Sequence, residues 1–166
     1  ACESSVGIWA ASLLVEARGA SAALSGALVS MYFGGIMAGR VIVGFVSDRL
    51  GNRVVVRIGL GVSLAGAALL SLRGPLWLAA PGLALLGLGF APVYPGLMHE
   101  TPRRFGAERY RSVIGFQMAA AVLGASIFPG LVGLAASRLG LEILGPVVAG
   151  FVVALTATVT ALDART

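Results

Sequence analysis

Charge is scarce in this sequence. Only 11% of its 166 residues are charged, against about 25% in an ordinary soluble domain. Lysine is absent: all 12 basic residues are arginines, set against 7 acids. One cysteine, Cys2, leaves no internal disulfide to form. One histidine, His99, lies far from that cysteine in sequence, so no zinc ligand set is credible. There is no Gly-rich phosphate loop ending in Gly-Lys-Ser/Thr, which argues against an ATP-driven pump domain. A nucleophile elbow of the form G-x-S-x-G is also missing, and no Ser/His pair supports hydrolysis. Apolar and polar residues do not alternate, which argues against a transmembrane β-barrel. The chain is therefore read as no enzyme and as needing no cofactor.

Apolar residues are abundant, at 58% of the chain, and mean hydropathy is +0.95. These values exclude a disordered tail and a nucleic-acid binder. The net charge of +5 comes from arginines that lie mostly at the breaks between apolar runs. A helix needs about 20 mostly apolar residues to cross a bilayer. The runs fall at about 1–15, 21–46, 54–72, 76–98, 112–137 and 143–162. The fold class expected is an all-α membrane protein of six transmembrane helices, forming one domain over residues 1–166. The chain opens Ala1-Cys2-Glu3, with no basic stretch before an apolar run, so no signal peptide is read. The first residue is expected to fall inside a longer protein.

Arginine sorts by connection. The second and fourth hold Arg49, Arg53, Arg57, Arg103, Arg104, Arg109 and Arg111; the first, third and fifth hold only Arg18, Arg73 and Arg138. Arginine accumulates on the cytoplasmic side. The even-numbered connections and the C-terminus are thus expected to be cytoplasmic. The 24 glycines sit mostly within the spans, where small residues let helices approach closely. Gly35 and Gly39 form a GxxxG; Ala120 and Gly124 form a small-xxx-small variant.

The second connection reads Gly44-Phe45-Val46-Ser47-Asp48-Arg49-Leu50-Gly51-Asn52-Arg53. Gly44 permits close packing at the membrane edge and Gly51 a tight turn. Asp48 ends one helix near the start of the next, where a carboxylate favours the helix dipole and can pair with arginine. The loop reads as a charged clasp between two helices, with Arg40 as support for Asp48 or snorkelling to the surface.

This loop resembles the signature loop of the major facilitator superfamily: a glycine, an acid followed by a base, a second glycine and a further base. Gly44, Asp48, Arg49, Gly51 and Arg53 carry the resemblance. Three further stretches look like helices seven, ten and eleven of the fucose permease-like branch: Glu3 to Trp9, Gly87 to Gly96, and Gly115 to Ala121 with Phe128-Pro129-Gly130. Helix four of an N-terminal half usually carries an arginine, and the span 76–98 has no charge. The resemblance therefore implies the C-terminal six-helix half, helices seven to twelve, of a secondary active transporter. It implies alternating access, a small polar solute such as a sugar, and proton coupling. The partners implied are the lipid bilayer and an N-terminal half; the location is a bacterial inner membrane. A stand-alone or homodimeric six-helix protein of structural or interaction role is the other reading.

Glu3 is the most informative residue within a span. An ionisable group at that depth faces a cavity or a partner. It is a candidate proton carrier or solute acceptor, with structural pairing as the alternative. Trp9 is a candidate for stacking on solute or for anchoring at the interface. Gln117 is a candidate for binding solute or a neighbouring helix. Tyr94, between the helix-breaking Pro92 and Pro95, is a candidate cavity residue; Tyr32 is a weaker one. His99 and Glu100 read as a solvated helix end, with proton handling as the alternative.

Overall fold

The computed structural model describes residues 1–73 and 75–164, without the side chain of Ala107. Gly74, in the third connection, lies outside the described residues. Among the described residues the chain is helical throughout, with no strand. That is the outcome expected when apolar segments must satisfy every backbone N–H and C=O internally. Helix α1 is Cys2–Ser12, extended by a π turn, Leu13–Ala17. Helices α2 (Ala22–Leu50) and α3 (Asn52–Ser71) follow. Helix α4 covers Leu76–Gly106, interrupted at Ala91-Pro92. Helix α5 is Glu108–Leu139. Helical hydrogen bonding runs on through their junction, but Gly106 has φ 71 and ψ 171, so two helices meet there. A 3-10 turn, Leu141–Ile143, leads into α6, Leu144–Asp163.

Among the described residues five helices, α2 to α6, are long and apolar enough to cross a membrane, where the sequence suggests six. The stretch 1–15 is helical as expected, but α1 and its π turn fall short of the roughly 20 residues a span needs. The helices also outrun the apolar spans. α2 continues to Leu50 rather than stopping near 46, and α4 continues through the charged segment to Gly106 rather than stopping near 98. Arginine and glutamate are good helix formers, so the helix goes on where hydropathy drops.

α4 lies between α2 and α3 and makes the closest packing of the fold. Missing side chains make this possible. A Cβ on Gly87 would strike the Tyr32 carbonyl of α2, and one on Gly89 would strike the backbone N and Oγ of Ser63 in α3. Gly35 and Gly39 lie on the same seam, where a Cβ on Gly35 would sit 2.6 Å from the Ala84 carbonyl oxygen. Leu60, Leu83, Leu86 and Tyr32 fill the core between these helices. α1 packs on α5 and α2, and α6 on α3.

Charged clamps hold the helix ends. At one end Arg18, with its side chain 3% exposed, makes a fork to Glu142 at 3.0 and 2.9 Å and donates to the Leu70 carbonyl at 2.6 Å. That single guanidinium joins the turn after α1, the end of α3 and the start of α6. At the opposite end Asp163 of α6 is held by Arg57 of α3 and Arg104 of α4.

Candidate functional site: a charged pair in an open trough

Glu3 and Phe90 line a pocket of about 420 Å³ with Tyr94, Phe151 and Leu155. Arg40 and Tyr94 line a second, of about 550 Å³, with Ala91, Pro95 and His99. Tyr94 belongs to both, so the two form one trough along α1, α2, α4 and α6. It continues into a third, polar pocket of about 330 Å³ lined by Asp48, Asn52, His99 and Arg103. His99 is shared by the last two.

The break in α4 shapes the trough. Pro92 has no N–H to continue the helix, and the helical run stops at Phe90 and resumes at Val93. Val93 and Tyr94 follow at once, and Tyr94 is 46% exposed. The same proline seats itself on α3, where a Cβ on Gly59 would collide with the Pro92 ring.

The guanidinium of Arg40 lies 3.9 Å from the Glu3 carboxylate, and neither group hydrogen-bonds to the other. Both side chains face open space, at 63% and 45% exposure. Arg40 is ten residues before the end of α2. At 1.5 Å per residue that is about 15 Å, and about 9 Å from residue 46, where the apolar run ends. The pair thus lies within the span, nearer the end of α2 than its start. Tyr32, buried beneath it, donates its hydroxyl to the Glu3 carbonyl at 3.0 Å and fixes α1 against α2.

The other residues singled out in the sequence lie elsewhere. The Trp9 indole N–H donates to the Pro129 carbonyl at 2.8 Å, and its ring fills the space left by the missing side chain of Gly133. It joins α1 to α5 and does not line the trough. The Gln117 amide meets the buried Thr101 hydroxyl at 3.0 Å and joins α5 to α4. Arg40 lies against Glu3 and makes no ion pair with Asp48.

In the signature loop, Gly51 adopts φ 80 and ψ 147, a region open essentially to glycine alone, and so turns α2 directly into α3. Gly44 has open space around it. Asp48 and Arg49 are exposed. The expected ion pair of Asp48 is absent among the described residues: Asp48 borders the polar pocket with Arg103 and His99, without an ion pair within 4.0 Å. Arg53 makes the interhelical contact instead, donating to Glu100 at 3.0 Å, and Arg103 supports Glu100 at 3.5 Å.

Charge isolation is the signal that would have found the pair in the sequence. Glu3 and Arg40 are the only charges in the apolar runs 1–15 and 21–46, and α1 and α2 are antiparallel neighbours. No comparable cue marks Arg53 for Glu100 or Arg18 for Glu142, which meet only once α3, α4 and α6 have packed.

A helical bundle with several lipid-compatible spans, close glycine seams and a charged trough among the spans defines a polytopic membrane protein. The profile of the Major Facilitator Superfamily matches residues 2–164, and the chain belongs to that family. Members of this superfamily are secondary transporters of small solutes, not enzymes.

Proposed function

We propose that this chain forms the C-terminal half of a secondary active transporter, and that the trough holding Glu3, Arg40 and Tyr94 is its half of the solute site. The observation that carries the proposal is the Glu3–Arg40 pair. Two charges within the apolar spans on an open face cannot be solvated by lipid. They need water and a second protein surface opposite. A companion six-helix unit closing over α1, α2 and α4 supplies that surface, with solute held between the halves near the midplane. Rocking of the halves then exposes the trough to each side in turn.

The Arg-rich even-numbered connections, 47–57 and 99–111, support a cytoplasmic placement of both, in a bacterial inner membrane. The signature loop and Arg53–Glu100 serve as the clasp that favours one arrangement of the halves. Proton coupling through Glu3, and a sugar as one candidate solute, follow from the resemblance to the fucose permease-like branch. A stand-alone or homodimeric bundle without transport is the second reading; in it α1, α2 and α4 of a second copy would cover the trough.

The test is a thermal-stabilisation screen of the purified full-length protein against small polar solutes, followed by uptake in proteoliposomes. A stabilising solute that is also accumulated, and that loses its effect in Glu3→Gln or Tyr94→Ala, supports the half-site. Stabilisation and uptake unchanged in both variants contradict it.

A further inference from the structure

Given that the trough is the solute half-site, we propose that the Glu3–Arg40 pair couples the movement of one small monovalent organic anion, a monocarboxylate, to the movement of one proton. Among the described residues, Arg40 donates no hydrogen bond to any protein group and Glu3 accepts none at its carboxylate. A guanidinium has five N–H donors in a fork that matches a carboxylate. The trough therefore offers a guanidinium fork free of protein hydrogen-bond partners beside a loosely held carboxylate, with the two charges summing to zero.

Loading preserves that sum. The solute carboxylate takes the Arg40 fork. The Glu3 carboxylate, losing its partner, accepts a proton from water in the trough and becomes a neutral O–H donor. On release the anion leaves, the Glu3 proton returns to water, and the pair closes again. Unloaded and fully loaded forms are both neutral within the span. An anion without the proton leaves net negative charge there, and a proton without the anion leaves Arg40 unpaired. Either uncompensated charge is costly once water is excluded. Only the neutral forms pass easily between the two faces, which makes the coupling one to one. A neutral sugar would leave the pair closed and Arg40 without a task. The walls beside Glu3, formed by Phe90, Phe151 and Leu155, suit the carbon body of a small acid.

The test uses the full-length protein in proteoliposomes with an internal pH dye. Gluconate and lactate are the anionic probes, L-fucose the neutral probe and L-alanine the zwitterionic probe. The inference expects an inward gradient of at least one anion to acidify the lumen, one proton per anion, at a rate insensitive to an imposed membrane potential. Glu3→Gln should abolish acidification while anion counterflow persists. Arg40→Gln should abolish both, and Arg40→Lys should restore part of the counterflow. Fucose or alanine transport with no anion-driven acidification overturns the inference and leaves the transporter reading standing. Acidification undiminished in Glu3→Gln also overturns it. No flux of any probe, from protein that is folded and monodisperse, counts against the transporter reading and this inference together.

Discussion

Arg53 donates to Glu100 across 3.0 Å, and the two ends of this contact live in different surroundings: the arginine is 39% exposed and the glutamate 5%. The asymmetry yields a prediction. In Glu100→Gln, Arg53 can turn into water, so stability should fall by only about 1 kcal/mol. In Arg53→Gln, Glu100 stays buried with only Arg103 at 3.5 Å, and the loss should approach about 3 kcal/mol. Denaturation of the two variants side by side checks the order. Equal losses would mean that Glu100 is more hydrated than its burial indicates.

The clamp at the other end should be costlier to break. Arg18→Ala removes the fork to Glu142 and the bond to the Leu70 carbonyl together. It should cost about 3–5 kcal/mol, as expected for a buried pair deprived of one partner. Arg18→Lys should recover only part, because an ammonium cannot make the planar fork. Thermal unfolding in detergent reads both.

The seam around α4 predicts steep size sensitivity. Gly87→Val forces a side chain into the Tyr32 carbonyl, and α4 cannot retreat because Gly89 faces Ser63 on its other side. The loss should be at least about 1–3 kcal/mol. Gly115→Val on α5 meets open space and should cost little. Expression of monodisperse protein should separate the two, and equal tolerance would contradict the seam.

Much of this organisation can be read in the chain. Apolar runs bounded by arginines locate α2 to α6, and the loop at Gly51 is where α2 turns into α3. Hydropathy cannot find helix ends, because it measures partition rather than backbone conformation; hence α4 runs on past His99 to Gly106. Nor can it assign partners. Trp9 and Gln117 were sound candidates by residue type, yet each spends its polar group on α5 packing. Their roles depend on the rotation of α1 and α5, which no local pattern encodes. Sequence position points Arg40 toward Asp48, two turns along its own helix, or toward the membrane surface, while the charge it meets lies on α1.

Orientation has its own test. A cysteine at position 52, in an otherwise cysteine-free protein, should react with an impermeant maleimide only from the cytoplasmic side. The motivation is the arginine distribution between odd and even connections. Labelling from outside the cell would reverse the topology.

Alternating exposure of the trough is the central claim, and Tyr94 is its best reporter, being shared by the two deeper pockets. The direct measurement is the labelling rate of Tyr94→Cys in the full-length, otherwise cysteine-free protein, with an impermeant maleimide applied from each side in turn. The account predicts reaction from both sides, with solute shifting the ratio of the two rates. Reaction with membrane-soluble reagents alone, from neither aqueous side and unmoved by any transported solute, would place position 94 in lipid and contradict the account.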